Sequence, residues 1–389
     1  MNLLDIYDGY LSPSNTERTI LYYSGYLPHH TFFDTDLEDI QKFFERGEKG
    51  ECITPEIQDY FGETIQGKAR VKHVFSVYIL GVYCYDNINN IKKSFNAFIE
   101  NKIWQNTGEQ CDSENERENR LRKDFLYLWY LTALYHDMGY LYETKGNNDN
   151  SIYTNIVDRK NIFADESLGN QGAVLGIPQK LRFSSNNYFW NRRNNIWFND
   201  SLCVDHGFVG GMQLYKSLYK IHSDHSEGAA SPTKQKSLAF GPKIFQWYNV
   251  PSAWAIICHN IWTAFEGTPQ GTKYKELGLN DLVFPYECSP INYKYHPLLF
   301  LLDFIDTIDP IKRFCGHSAE IQVSNLRFIE ANCNNNALSL TLNFNCLHTN
   351  SCYLCNNRCI NNIEKDLRFL ISSIFSVHIE ENKISFQLN

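Results

Sequence analysis

His136 and Asp137 end a long apolar run, Asp124-Phe-Leu-Tyr-Leu-Trp-Tyr-Leu-Thr-Ala-Leu-Tyr-His136-Asp137-Met-Gly139. Burying an imidazole and a carboxylate behind such a run is costly unless something neutralises them. Both are good ligands for divalent cations. Taken alone, the dipeptide reads equally well as a helix end whose His and Asp cap or pair. Residues of the same kind recur at the edges of other apolar runs. His73 stands in Ala69-Arg-Val-Lys72-His73-Val-Phe-Ser-Val-Tyr-Ile-Leu, and His206 opens Asp205-His206-Gly207-Phe-Val-Gly210-Gly211. His259 ends Val250-Pro251-Ser-Ala-Trp-Ala-Ile-Ile-Cys-His259. Asp306 lies in Leu301-Leu-Asp303-Phe-Ile-Asp306-Thr-Ile-Asp309-Pro310-Ile-Lys312-Arg313, where Asp303, one turn earlier, competes for the same role. One such residue is ordinarily a satisfied core group. Isolated buried ionisable groups cost on the order of several kcal/mol each, and a shared metal centre removes that cost for all of them together.

Helices must position these groups. Residues 69–85 repeat Val74, Val77, Tyr78 and Gly81 at helical spacing, and a second helix is predicted over about 121–136. Gly207, Gly210 and Gly211 at the start of a third helix allow close approach of a neighbouring backbone or a ligand. Pro251 suits a first helical position in the fourth. The fifth buries Leu298, Leu301, Leu302, Ile305 and Ile308. Between them lie polar insertions: about 86–120 reads as irregular or as short surface helices, 143–200 as an Asn-rich lid, substrate-contacting or disordered segment, and 222–242 as a polar loop. Residues 1–68 read as a helical and loop segment in which nothing suggests chemistry; His29 and His30 there follow Pro28 in an aromatic loop and are not expected to be functional, and His222 and His225 in the third insertion read as solvated. Beyond 316, Leu338–Phe344 and Lys383–Leu388 alternate at period two around a helical stretch at 363–374. The expected fold is mainly α, with a core domain over 69–315 and a small α+β appendage over 316–389.

Composition narrows the class. A net charge of −8 argues against a broad non-specific nucleic-acid surface while allowing a local basic patch. The first residues, Met-Asn-Leu-Leu-Asp5-Ile-Tyr-Asp8, carry acids where a signal peptide would be basic, and no apolar run is long enough to span a membrane. Twelve Cys without a secretory signal read as reduced thiols or metal ligands, which makes the cytoplasm the expected compartment.

The ordered set His73, His136-Asp137-Met-Gly139, His206-Gly-x-x-Gly210, His259, and Ile305-Asp306-x-Ile-Asp309-Pro310-x-x-Arg313 resembles the HD-domain superfamily of metal-dependent phosphohydrolases. The resemblance covers residues 69–315 and implies an HD helical bundle. The last two stretches look most like the HD hydrolases that split dinucleoside polyphosphates. On this resemblance, Asp306 takes the position of the metal Asp, Asp309-Pro310 a Glu-Pro position, and Arg313 an Arg position. It further implies two divalent ions with Asp137 between them, His73, His136 and Asp306 completing one site, and His206 and His259 the other. Nitrogen and oxygen ligands of this type suit Fe, Mn, Ni, Co or Zn. Two ions about 3.5–4 Å apart activate water, polarise a phosphoryl group and stabilise the leaving oxygen.

Several features depart from the family. Many HD proteins carry Lys where Tyr140 stands; Lys72, Arg192 or Arg193 could take its place on phosphate. Lys312 reads either as a phosphate contact or as a cation complementing a helix C-terminus, and Arg313 either as a phosphate contact or as a partner of Asp309. Separately, Cys346, Cys352, Cys355 and Cys359 include a Cys-x2-Cys pair and could form a structural zinc site. The leading expectation is a two-metal phosphohydrolase acting on a nucleotide or other phosphorylated small molecule. A single-strand nuclease of HD type, with Arg192, Arg193 and the nearby Trp190 and Trp197 as a strand channel, is the alternative enzyme. A nucleotide-binding sensor without turnover is the alternative from another class. No membrane partner is expected, and a homo-oligomer is allowed.

Overall fold

The computed structural model describes residues 65–139, 206–208, 210–212, 214, 215, 218, 245–259, 293–309, 326–334, 337–344, 375–380 and 383–388. Among them the fold is mainly helical. The chain divides into two compact units, Met1–Ile99 with Cys111–Leu134 and Asn292–Asn389, and Glu100–Gln110 with Tyr135–Ile291.

In the first unit the helix α1 spans Ile65–Asn87 and carries His73. Val74, Val77, Tyr78, Ile79, Leu80 and Val82 are all buried, so α1 is apolar around its circumference, the signature of a central helix. A second helix, α2, spans Asn89–Phe98 and packs on α1. It buries Ile91 and Phe95, one turn apart, exposes Asn89 and Lys93, and uses Asn96 to accept the hydroxyl of the buried Tyr85 at 2.8 Å. The helix α3 runs over Glu114–Tyr135. Ser113 caps its start by accepting a hydrogen bond from the Glu116 backbone N–H at 3.2 Å, while the Glu116 carboxylate accepts the Asp112 N–H at 3.0 Å. Glu114 and Glu116 in the first turn complement the helix dipole. The predicted insertion at 86–120 is therefore largely helical. Its polar residues lie on the outer faces of helices whose few apolar side chains enter the core.

An aromatic cluster ties these helices together. Tyr85 stacks on Phe125 with ring centroids 3.7 Å apart, and Phe95 meets Phe125 edge-on at 4.9 Å. Trp129 is fully buried, and its indole N–H donates to the Tyr78 carbonyl at 2.9 Å. That carbonyl's neighbour Gly81 leaves the indole its space, since a Cβ at 81 would fall on the ring. Trp129→Ala removes the largest side chain of this cluster together with its hydrogen bond. Unfolding in urea should show a loss of about 3–5 kcal/mol; a loss under about 1 kcal/mol would mean the cluster is not the core of this unit.

The helix α4 spans Val250–Cys258, with Pro251 in its first turn and a π-helical stretch, Phe245–Asn249, before it. The helix α5 spans Pro297–Ile308 and packs on α1 and α2. Every residue of α5 is buried, including Asp303, Asp306 and Thr307, where sequence periodicity predicts one buried face. At its N-cap, burial pushes the His296 imidazole down to about 4, so it is neutral at pH 7.

Four antiparallel strands form a sheet in the order β1-β2-β4-β3, where β1 is Leu326–Asn334, β2 Ala337–Phe344, β3 Phe375–Glu380 and β4 Lys383–Leu388. Strands β2 and β4 occupy the two segments of period-two alternation, whereas β1 and β3 are additions. A register irregularity between Phe328 and Glu330 interrupts the alternation of β1. The stretch at 363–374 lies outside the described residues.

Candidate metal centre

The described residues place two clusters of buried His and Asp, one within each unit. The second unit holds Asp137, His206 and His259, with potential ligand atoms all within 4.8 Å of one another. Three separate pieces of chain supply them: the turn that follows α3, the helical segment beginning at 206, and the turn that ends α4. His206 Nε2 lies 3.7 Å from Asp137 Oδ1, and the His206 and His259 rings meet with centroids 5.3 Å apart. His136 Nε2 lies 3.3 Å from the same Asp137 oxygen, and its ring packs edge-on against that of His259 at 5.4 Å. All four residues are buried.

Glycines create this junction. The Cα of Gly139 lies so close to the His206 carbonyl that a Cβ there would collide with it. Gly207 faces the His259 imidazole, whose Cε1 and Nδ1 would lie 2.7 Å from a Cβ at that position. The turn after α3 and the end of α4 can therefore both approach the start of the 206 segment at backbone distance. His259 Nδ1 is 2.7 Å from the Ile256 carbonyl. A carbonyl oxygen only accepts, so Nδ1 carries a proton, which leaves Nε2 as the nitrogen that can serve as a ligand.

The first unit holds the other cluster. His73 Nε2 lies 3.0 Å from Asp306 Oδ1, and His73 Nδ1 lies 2.7 Å from Asp309 Oδ2. Ser76, one turn beyond His73 in α1, donates its hydroxyl to the other oxygen of Asp309. His73, Ser76, Asp306 and Asp309 are all buried. Asp303 is buried on the same helix, but the carboxylate beside His73 is that of Asp306.

The donor geometry fits metal ions. Two donors each about 2.1 Å from one ion are separated by about 3.0 Å at a right angle and about 3.4 Å at a tetrahedral angle. The His73–Asp306 and Asp137–His206 separations of 3.0 and 3.7 Å bracket these values. Imidazoles and carboxylates without thiolates make a nitrogen and oxygen set suited to divalent transition metals.

Two residues of the first cluster lie outside the ligand set that the sequence suggests: Ser76, and Asp309, which the sequence places only at a Glu-Pro position or beside Arg313. Their signal was spacing: Ser76 follows His73 by one turn, and Asp309 follows Asp306 by one turn. The side chain of Lys72, together with Lys312, Arg313, Arg192, Arg193, Cys346, Cys352, Cys355 and Cys359, lies outside the described residues. No described helix is long and apolar enough to cross a membrane. Comparison with protein-family models, curated proteins and solved structures finds no match to this chain.

Proposed function

We propose that the protein is a two-metal phosphohydrolase of HD type, cleaving a phosphoanhydride or phosphodiester of a nucleotide-like substrate. The observation that carries this reading is the convergence of Asp137, His206 and His259, buried and from three separate elements, within 4.8 Å. Packing alone gives no reason to collect such groups, because each is costly to bury. The sequence order of the ligands and the HD-type bundle it implies supply the rest. On the family resemblance, His136 would join His73 and Asp306 at a first ion, and Asp137 would serve both ions.

Ions held there would supply Lewis-acid activation of water and charge stabilisation at phosphorus. The chain's own part is to hold these groups in fixed orientation. Burial of each of His73, His136, Asp137, His206, His259 and Asp306 limits its exposure to bulk water and strengthens the charge interactions it makes. The His259 Nδ1–H bond to the Ile256 carbonyl fixes that ring's tautomer before substrate arrives. Lys72, Arg192, Arg193, Lys312 and Arg313 are the cations available to hold phosphate oxygens. No Ser or Cys nucleophile is needed.

The test couples metal analysis to phosphate release from a panel of nucleotides, dinucleotides and oligonucleotides. About two divalent ions per chain are expected. Turnover of a nucleotide or dinucleotide should be abolished by chelation and restored by adding metal back. Hydrolysis confined to oligonucleotides would establish the nuclease instead. Two bound metals with no hydrolysis of any phosphoester would leave a sensor, and a chain that binds no metal would end both enzyme readings.

A further inference from the structure

We propose that Asp309 and Ser76 are positioning residues that hold His73 in the Nδ1–H tautomer, with its Nε2 lone pair directed toward Asp306. The inference rests on the metal-centre reading above and assigns a role to two residues outside its ligand set.

Asp309 sits where a carboxylate is least welcome. It is fully buried, and it is the C-cap residue of α5, at the negative end of the helix dipole. A carboxylate persists there only if donors satisfy it. Both oxygens have one: Oδ2 lies 2.7 Å from His73 Nδ1, and Oδ1 accepts the Ser76 hydroxyl. Ser76 donates to Oδ1, and the proposal assigns the proton of the other contact to His73 Nδ1, with Asp309 Oδ2 accepting. His73 and Ser76 are one turn apart on α1, so the carboxylate is gripped from two points and the imidazole cannot rotate without breaking the grip. The opposite ring nitrogen, Nε2, is thereby aimed at Asp306 Oδ1, 3.0 Å away. A carboxylate behind a histidine fixes the ring's orientation and raises its basicity as a ligand. A plain staple between α1 and α5 would not require that one nitrogen stay proton-free. The two roles can therefore be separated.

The test uses the full chain, stripped of metal and titrated with cobalt(II), whose visible absorption reports the ligands around it. Wild type should take up two ions. Asp309→Asn, nearly isosteric, should weaken one of the two sites by about 10- to 100-fold and leave the other unchanged. Ser76→Ala should weaken the same site by a smaller factor. In the ¹⁵N spectrum of the metal-loaded wild type, His73 should be protonated at Nδ1 and not at Nε2. Wild-type affinity at both sites in both variants would overturn the proposal and leave Asp309 a helix staple. Equal weakening of both sites with a lowered melting temperature would overturn it in favour of a general structural role. Should Asp309→Asn fail to fold, Ser76→Ala and the wild-type ¹⁵N spectrum decide, and an unprotonated Nδ1 would overturn it. Failure of the wild type to bind cobalt at all sinks the metal reading itself, an outcome distinct from each of these.

Discussion

His136→Ala combined with Asp137→Ala is expected to abolish both metal binding and hydrolysis while leaving the protein folded. Asp137 lies within ligand distance of His206 and His259, so its loss removes the only carboxylate of that cluster among the described residues. His136 is the residue proposed to complete the other site. The metal's contribution to the transition state is several kcal/mol, and about 4 kcal/mol corresponds to about a thousandfold in rate. Activity should therefore fall by at least about 10³-fold in kcat/KM, with bound metal near zero. The helix leading to the pair should survive, because Phe125 and Trp129 anchor α3 well before its end. Circular dichroism should be unchanged. Asp137→Asn separates charge from shape: it keeps the side-chain volume and should still lose metal by more than about 100-fold, beyond the loss typical of an outer partner. A double variant that retains turnover would refute this site.

How far the sequence could be read depended on whether the signal was local. The apolar runs of α1, α3, α4 and α5 declare themselves, because a helix buried on most sides needs no strict stripe. Periodicity predicts α3 from about 121, whereas it starts at Glu114, because Ser113 and Glu116 form a cap inside a run of charged residues that reads as surface. Helix α2 reads as a polar surface stretch for the same reason: only Ile91, Ser94 and Phe95 of its residues are buried. In the sheet, β2 and β4 alternate cleanly, whereas β1 mixes Glu330, Asn332 and Asn334 into its length and carries the register irregularity. The candidate ligands were legible because each sits at the edge of an apolar run. The Asp309 contact was not, because it joins residues 236 apart in sequence. Local spacing says that Asp309 and Asp306 share a side of α5, but not that His73 lies between them. The π-helical stretch before α4 has no hydrophobic periodicity or cap in the sequence that sets it apart from an α-helix.

Gly139→Ala should damage the second unit's cluster without altering any candidate ligand. The added methyl would land on the His206 carbonyl and lie 2.8 Å from the Gly210 nitrogen. Both are backbone atoms and cannot swing aside, so the turn after α3 and the 206 segment must separate. Overpacking of this kind costs about 1–3 kcal/mol, sometimes more. The displaced residue is His206 itself, Gly139 follows Asp137 with only Met138 between them, and a misplacement of about 1 Å can cost about 10²-fold in a preorganised site. Metal affinity at Asp137, His206 and His259 should fall by about that factor, while the cluster of His73, Asp306 and Asp309 keeps its geometry. Gly81→Ala is the matched control. Its methyl would strike the Trp129 ring, and it should lower stability comparably while leaving metal affinity as in wild type. Equal metal affinities in Gly139→Ala and wild type would show that the close approach of these backbones does not set the ligand geometry. Equal losses of metal in the Gly139 and Gly81 variants would show that affinity follows global stability, and that the glycine at 139 has no special bearing on the site.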